Sequence, residues 1–166
     1  MAVVAVRLLP DPVLITPAEP VGAVGTAARR LATDLLDTMA AAPACVGLAA
    51  PQIGVGVRAF AVDVSGHRKA RSCHGPFVVF DPVVSDAGPR QVAREGCLSV
   101  PDLTGDVARP VAVTVTGLDP DGRRVVLHVD AFEARAVLHE LDHLDGLVFL
   151  DRVAGPHAVF PRKVYR

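Results

Sequence analysis

The stretch from Asp130 to Gly146 sets the strongest constraint on how this chain folds. It reads Asp-Ala-Phe-Glu-Ala-Arg-Ala-Val-Leu-His-Glu-Leu-Asp-His-Leu-Asp-Gly. Asp130 stands where a side-chain oxygen caps the orphan N–H groups at a helix start, and Gly146 where a residue without a Cβ ends one. Between these signals Phe132, Ala134, Ala136, Val137, Leu138, Leu141 and Leu144 make the segment apolar nearly all round. Such a helix belongs under cover in the middle of a domain. His139 and His143 are four residues apart, slightly more than one turn, so both imidazoles leave one face and can hold one metal ion. Glu140 beside the first histidine is placed as a general base toward water activated at that ion, and not as a ligand.

A catalytic site of this kind needs a third protein ligand and an open position. One protease class supplies a further histidine after the glycine that follows the motif, but the residue here is Phe149, and no glutamate follows Glu140. Downstream there remain Asp145, Asp151 and His157, the last in an irregular segment beside Pro156. The best donor lies upstream: Cys97, within Glu95-Gly96-Cys97-Leu98-Ser99, could bring a thiolate. A free cysteine is equally often a buried space-filler. Cys45 and Cys73 keep that second reading, with Cys73 next to His74 in a polar loop.

The rest of the chain reads as short strands and one more helix. Val3 to Leu9 is expected as a strand, followed by an extended approach through Pro10, Pro12, Pro17 and Pro20. From Val21 to Ala42 the residues Val24, Ala28, Leu31, Leu35, Leu36 and Met39 recur three and four apart opposite Arg29, Arg30, Asp34 and Asp37. That periodicity predicts an amphipathic surface helix ended by Pro43. Val46 to Gly54 reads as a strand and turn of small residues in which Gln52 is the single polar side chain. Strands are expected at Arg58 to Val64, at Phe77 to Phe80 closed by Asp81-Pro82, and at Leu147 to Leu150. Val111 to Leu118 and Arg123 to Val129 flank Asp119-Pro120-Asp121-Gly122, a hairpin signal. Strands that do not alternate with helices exclude a doubly wound fold. The expected class is α+β, with antiparallel sheets packed around a central buried helix that carries the His-Glu-x-x-His motif.

At 166 residues the chain fits a single domain over residues 1–166. Its net charge of -1 gives no reason to expect a nucleic acid or an anionic membrane as partner. The odd cysteine count of 3, with no paired spacing and no basic start leading into an apolar run, points to a reducing cytoplasm. No apolar run reaches the ~18 residues of a membrane span.

Taken together, the motifs resemble those of the peptide deformylases. Val46 to Gln52 looks like that family's glycine-containing Ala-Ala-Pro-Gln signature, Glu95 to Ser99 is the same as its Glu-Gly-Cys-Leu-Ser signature, and His139 to His143 is similar to its His-Glu-x-Asp-His signature. Pro10-Asp11-Pro12, Arg109-Pro110 and Asp151-Arg152 are also like the family. The resemblance implies a metal-dependent hydrolase that removes the N-formyl group from the N-terminal methionine of nascent polypeptides, near the ribosome. It implies Cys97, His139 and His143 as metal ligands, with Fe²⁺ as the native ion and Zn²⁺, Ni²⁺ or Co²⁺ able to substitute. It implies Glu140 as the base, and the Gln52 amide with the backbone N–H of Leu98 as donors to the oxyanion. Gly47 would approach the substrate closely, and Val46 and Ala136 would line the methionine pocket. Two alternatives stand beside this reading: a metallopeptidase or other amidase, and a metal-binding relative without useful turnover.

The chain departs from the family pattern at four places. Cys45 stands where a glycine is usual, Leu138 where a glutamine precedes the first ligand histidine, and Glu133 and Thr104 where larger or apolar residues are expected. These departures bear on the shape of the cleft and on substrate affinity. The tail after Asp151 holds two prolines and cannot form the long C-terminal helix of some bacterial members.

Overall fold

The computed structural model describes residues 3–163. In chain order its strands are β1 (Gly47–Ala49), β2 (Ala59–Val62), β3 (Phe77–Ser85), β4 (Arg90–Cys97), β5 (Val100–Pro110), β6 (Ala112–Leu118), β7 (Arg124–Asp130) and β8 (Val159–Pro161). Two α-helices, α1 (Thr26–Ala41) and α2 (Ala131–Leu144), complete the α+β fold together with short 3-10 turns. One sheet has the order β1-β2-β3-β6-β7 and the other β4-β5-β8, and every pairing within them is antiparallel.

β2 explains why its segment reads as an apolar run without alternation. All four of its residues are buried, because helices cover both faces of the sheet there. Ala59 and Ala61 join Leu31, Leu35 and Met39 of α1, together with Leu48, Val78 and Phe80. Phe60 and Val62 point the other way, toward Ala134, Val137 and Leu144 of α2 and toward Val79, Val113, Val115 and Val129. Each such large side chain contributes roughly 1.5–3 kcal/mol through burial. A third cluster of Cys97, Val100, Val107 and Phe149 fills the small sheet's side of α2.

Several expected boundaries move, each for a local reason. Val3 to Leu9 is not a strand: its amides go singly to Thr38 Oγ1 (3.0 Å), Gln52 O (2.7 Å) and Ser99 O (3.1 Å), so no ladder forms. The first helix starts at Thr26 and not Val21, because the Asp81 carboxylate takes the Val21 and Gly22 N–H groups and Gly22 is left-handed at φ 70°. Asp81-Pro82 does not close β3. It forms a bulge, with Asp81 at φ 48° and a register shift between Phe80 and Val83, which is where a proline is tolerated in a sheet.

Leu147 to Leu150 is not a strand either. A 3-10 turn runs over Phe149–Arg152, and the Asp151 carboxylate accepts the Val148 N–H at 2.9 Å. Asp130 occupies the N-cap position of α2, but its side chain accepts from Ser72 N at 2.8 Å and leaves the helix N–H groups without a side-chain cap. Gly146, at φ 72°, does follow the end of that helix. The hairpin between β6 and β7 forms as expected, Asp119 Oδ1 accepting from the backbone of Asp121 and Arg123. The tail forms β8 against β5. Among the described residues no helix is long and apolar enough to cross a membrane.

Candidate metal centre and active site

α2 carries His139 and His143 one turn apart, with ring centroids 5.2 Å from each other. Cys97 reaches them from the end of β4. Between Gly96 and Cys97 the register against β5 jumps, pairing Gly96 with Thr104 but Cys97 with Val100, and such a bulge re-aims a side chain. The Cys97 Sγ lies 3.3 Å from His143 Nε2. One ligand atom from each of Cys97, His139 and His143 falls within 4.8 Å of the others, and this is the group of such residues found among the described ones. The other proposed third ligands lie elsewhere: Asp145 pairs with Arg58 at 2.9 Å, Asp151 holds the turn at Val148, and His157 is exposed.

A buried charge network fixes these side chains. Glu95 Oε2 meets His139 Nδ1 at 2.9 Å, which orients that ring so that Nε2 faces the cluster. Arg109 grips the same carboxylate at both oxygens, 2.6 and 3.0 Å, and Arg135 Nη1 adds a contact at 2.8 Å. Arg109 also donates to Asp142 Oδ2 at 2.8 Å and to the Leu138 carbonyl at 3.2 Å, tying β5 to α2. Arg152 contacts the other Asp142 oxygen at 3.2 Å. Burial pushes the Glu95 carboxyl up, but the hydrogen bonds from His139 and Arg109 outweigh it and bring the group down to about 2.

Glu140 is 4% exposed, and its Oε2 has no hydrogen-bond partner. Burial raises its carboxyl to about 7, against the opposing pull of His139 and Arg109. A buried carboxylate with one free oxygen next to a cluster of ligand atoms is what a bound ion and its water would require, so the donor set fits a divalent cation. Gly47 sits against this group. A Cβ there would collide with the Glu140 carboxylate, lying 2.9 Å from both Cδ and Cγ. The need for glycine at 47 is therefore met inside the protein, before any substrate is considered.

Gln52 belongs to the 3-10 turn Ala50–Ile53 and is 2% exposed. Its Oε1 accepts the Ala49 N–H at 2.9 Å, which sets the amide so that Nε2 points to Ser99 Oγ (3.2 Å) and Cys97 Sγ (3.5 Å). A cleft of about 330 Å³ opens over the cluster, lined by Val46, Gly47, Gln52, Leu98, Ala136 and Glu140 among others. Phe132, Arg94, Arg135 and Arg162 also line it. None of these four is singled out by the sequence. Arg135 offered only its place one turn before His139, and Arg162 lies in the tail, where nothing in the local pattern announces β8.

The departures from the family pattern fall in different surroundings. Cys45 lines the cleft and donates its thiol to Gly47 O at 3.1 Å. Burial, with Glu140 adding to it, raises that thiol to about 11. Glu133 is fully buried away from the cleft, where both oxygens meet His74 at 2.9 Å. Thr104 faces Gly96 across β4 and β5, and Leu138 offers its carbonyl to Arg109. Cys73 is exposed, near Ser65.

The model of the polypeptide deformylase family matches residues 3–158. A peptide deformylase of Desulforudis audaxviator is 42% identical over 164 residues, covering 98% of this chain and 99% of that one. Among solved structures, a peptide deformylase from Ehrlichia chaffeensis in complex with actinonin superposes with a TM-score of 0.86 at 33% identity, covering 93% of this chain and 90% of that one. One from Acinetobacter baumannii, solved with Met-Ala-Ser bound, gives 0.82 at 30% identity over 92% of this chain and 99% of that one. The fold and a donor set of this chemistry define the class as a metal-dependent hydrolase. Within that class the chain belongs to the polypeptide deformylase family, enzymes that remove the N-formyl group from the N-terminal methionine of nascent polypeptides. That membership sets aside an unrelated metallopeptidase.

Proposed function

We propose that α2 is the central element of one catalytic domain, in which Cys97, His139 and His143 hold a single divalent ion and Glu140, Gln52 and Leu98 carry out deformylation around it. The observation that carries this reading is the convergence of the three ligand atoms within 4.8 Å. The bound ion supplies Lewis acidity, which makes water nucleophilic at neutral pH. One thiolate with two imidazoles accepts several first-row ions, and Fe²⁺ is the proposed native one, with Zn²⁺, Ni²⁺ or Co²⁺ as substitutes.

The residues divide the work by chemistry. Glu140, unpartnered at Oε2 and raised to about 7 by burial, takes the proton of the attacking water and passes it to the leaving amine. Gln52, locked by Ala49 with Nε2 toward Cys97, donates to the oxygen of the formyl carbonyl as negative charge develops on it. The Leu98 N–H, next to the thiolate in sequence, is the second donor. Fixed donors of this type favour the tetrahedral state by ~3 kcal/mol each. Glu95 holds His139 in its tautomer and orientation.

Val46, Gly47 and Ala136 line the cleft that would receive the methionine. The Met-Ala-Ser held by the Acinetobacter baumannii relative supports a peptide in that place here. We place the reaction in the cytoplasm, on chains leaving the ribosome. The test is a steady-state assay of the metal-loaded protein on a formyl-Met peptide beside its acetyl-Met counterpart and an internal peptide bond. Formate release from the first alone is the expected result, and metal binding with no turnover would return the chain to the alternative of a binding protein.

A further inference from the structure

Three arginines line the cleft, and they differ in what already holds them. Arg135 is committed to the Glu95 carboxylate and to the carbonyls of Val107 and Gln91. Arg94 pairs with Asp106 at 2.6 Å and lies 3.8 Å from the ring centroid of Phe160. Arg162 has no carboxylate partner among the described residues; its side chain makes one long contact, Nη2 to Cys97 O at 3.5 Å. Yet its position is well fixed. β8 pairs Pro161 with Leu103, and the Arg162 N–H donates to Asp102 O at 2.8 Å. The guanidinium lies over Gly96, where a built Cβ would stand 3.2 Å from Cζ and closer still to Nη2. Glycine at 96 therefore leaves the space that Arg162 fills.

We infer that Arg162 is a specificity-determining residue, selecting formyl-Met peptides that carry a carboxylate one or two residues after the methionine. The inference rests on the site proposed above. A guanidinium has five N–H donors in a planar fork suited to a carboxylate. With one weak contact, Arg162 keeps most of that fork free, on the wall formed by the metal-site residue Cys97. A peptide whose formyl group sits at the Cys97 cluster must leave along this cleft, and an acidic side chain on it would neutralise a cation that the fold leaves uncompensated.

The experiment compares kcat/KM of the metal-loaded full chain on formyl-Met-Ala-Asp amide and formyl-Met-Ala-Lys amide, with the same pair exchanged at the residue after methionine. The aspartate peptide should be preferred by about three- to ten-fold at low salt at one of the two positions, through KM more than kcat. High salt should shrink the preference. Arg162→Gln should bring the ratio close to one, and Arg162→Glu should invert it. An Asp-to-Lys ratio near one at both positions in the unmutated enzyme overturns the inference without any variant, and so does an unchanged ratio in Arg162→Gln. If no formyl-Met peptide is turned over at all, the site assignment fails and this inference falls with it.

Discussion

Glu140 has surroundings that constrain it in opposite ways. Burial disfavours its ionised form and the neighbouring His139 and Arg109 favour it, while Gly47 leaves no room for the carboxylate to retreat. Two outcomes follow. Glu140→Gln keeps the shape but removes the basic oxygen, so metal content and fold should be retained while deformylation falls by ~10²-fold or more. Loss of metal in that variant would mean that Glu140 is a ligand. Gly47→Ala adds a Cβ into the same carboxylate, and should lower kcat while the protein still binds one ion per chain; wild-type kcat would show that Glu140 has freedom the packing denies it. Glu133→Gln is unsuited as the control on this helix, since the Glu133 carboxylate is fully buried against His74. Asp121→Asn, in the exposed hairpin turn, is the better one.

At the scale of elements, the junction between β5 and α2 is held by charge as well as by apolar contact. Arg109 is 5% exposed and bridges Glu95 and Asp142, both buried. Removing the shared cation leaves two carboxylates facing an apolar interior, so Arg109→Met should destabilise the protein by ~3–5 kcal/mol. Urea denaturation measures it, and a loss below about 1 kcal/mol would class the bridge with surface pairs. Arg109-Pro110 was legible only as a likeness to the family, because no local pattern shows which carboxylates a distant arginine will meet. The same limit hid β5. Pro101 and Gly105 look like punctuation in the sequence, yet both lie within an eleven-residue strand, Gly105 pairing with Glu95 and Val159 and Pro101 sitting where the register against β4 jumps. α2 was legible as an element because its ends and its periodicity are local, whereas the partner of Asp130, Ser72, is 58 residues away. β8 was not, since a three-residue strand exists only through the edge it joins.

In the whole molecule the Cys97 cluster spans the two sheets' territories, with the sulfur from β4 and the imidazoles from the helix packed on the large sheet. The three signature segments could be read from the sequence because each keeps its chemistry within a few residues. Their convergence could be inferred only from the missing third ligand and the family likeness, since the bulge that aims Cys97 depends on its register against β5. An ion held across that junction binds the folded chain and not the separated parts, so it should stabilise the whole domain. The stabilisation is ~2.7 kcal/mol when free metal is 100 times its Kd. Urea unfolding of the apo and metal-loaded protein, followed by far-UV circular dichroism, should show one cooperative transition that moves to higher urea with metal. Cys97→Ala should abolish the shift, while Cys45→Ala and Cys73→Ala keep it, because neither of those thiols belongs to the cluster. A metal-dependent shift that survives in Cys97→Ala would mean that the ion does not join β4 to α2, and the proposed ligand set would have to be abandoned.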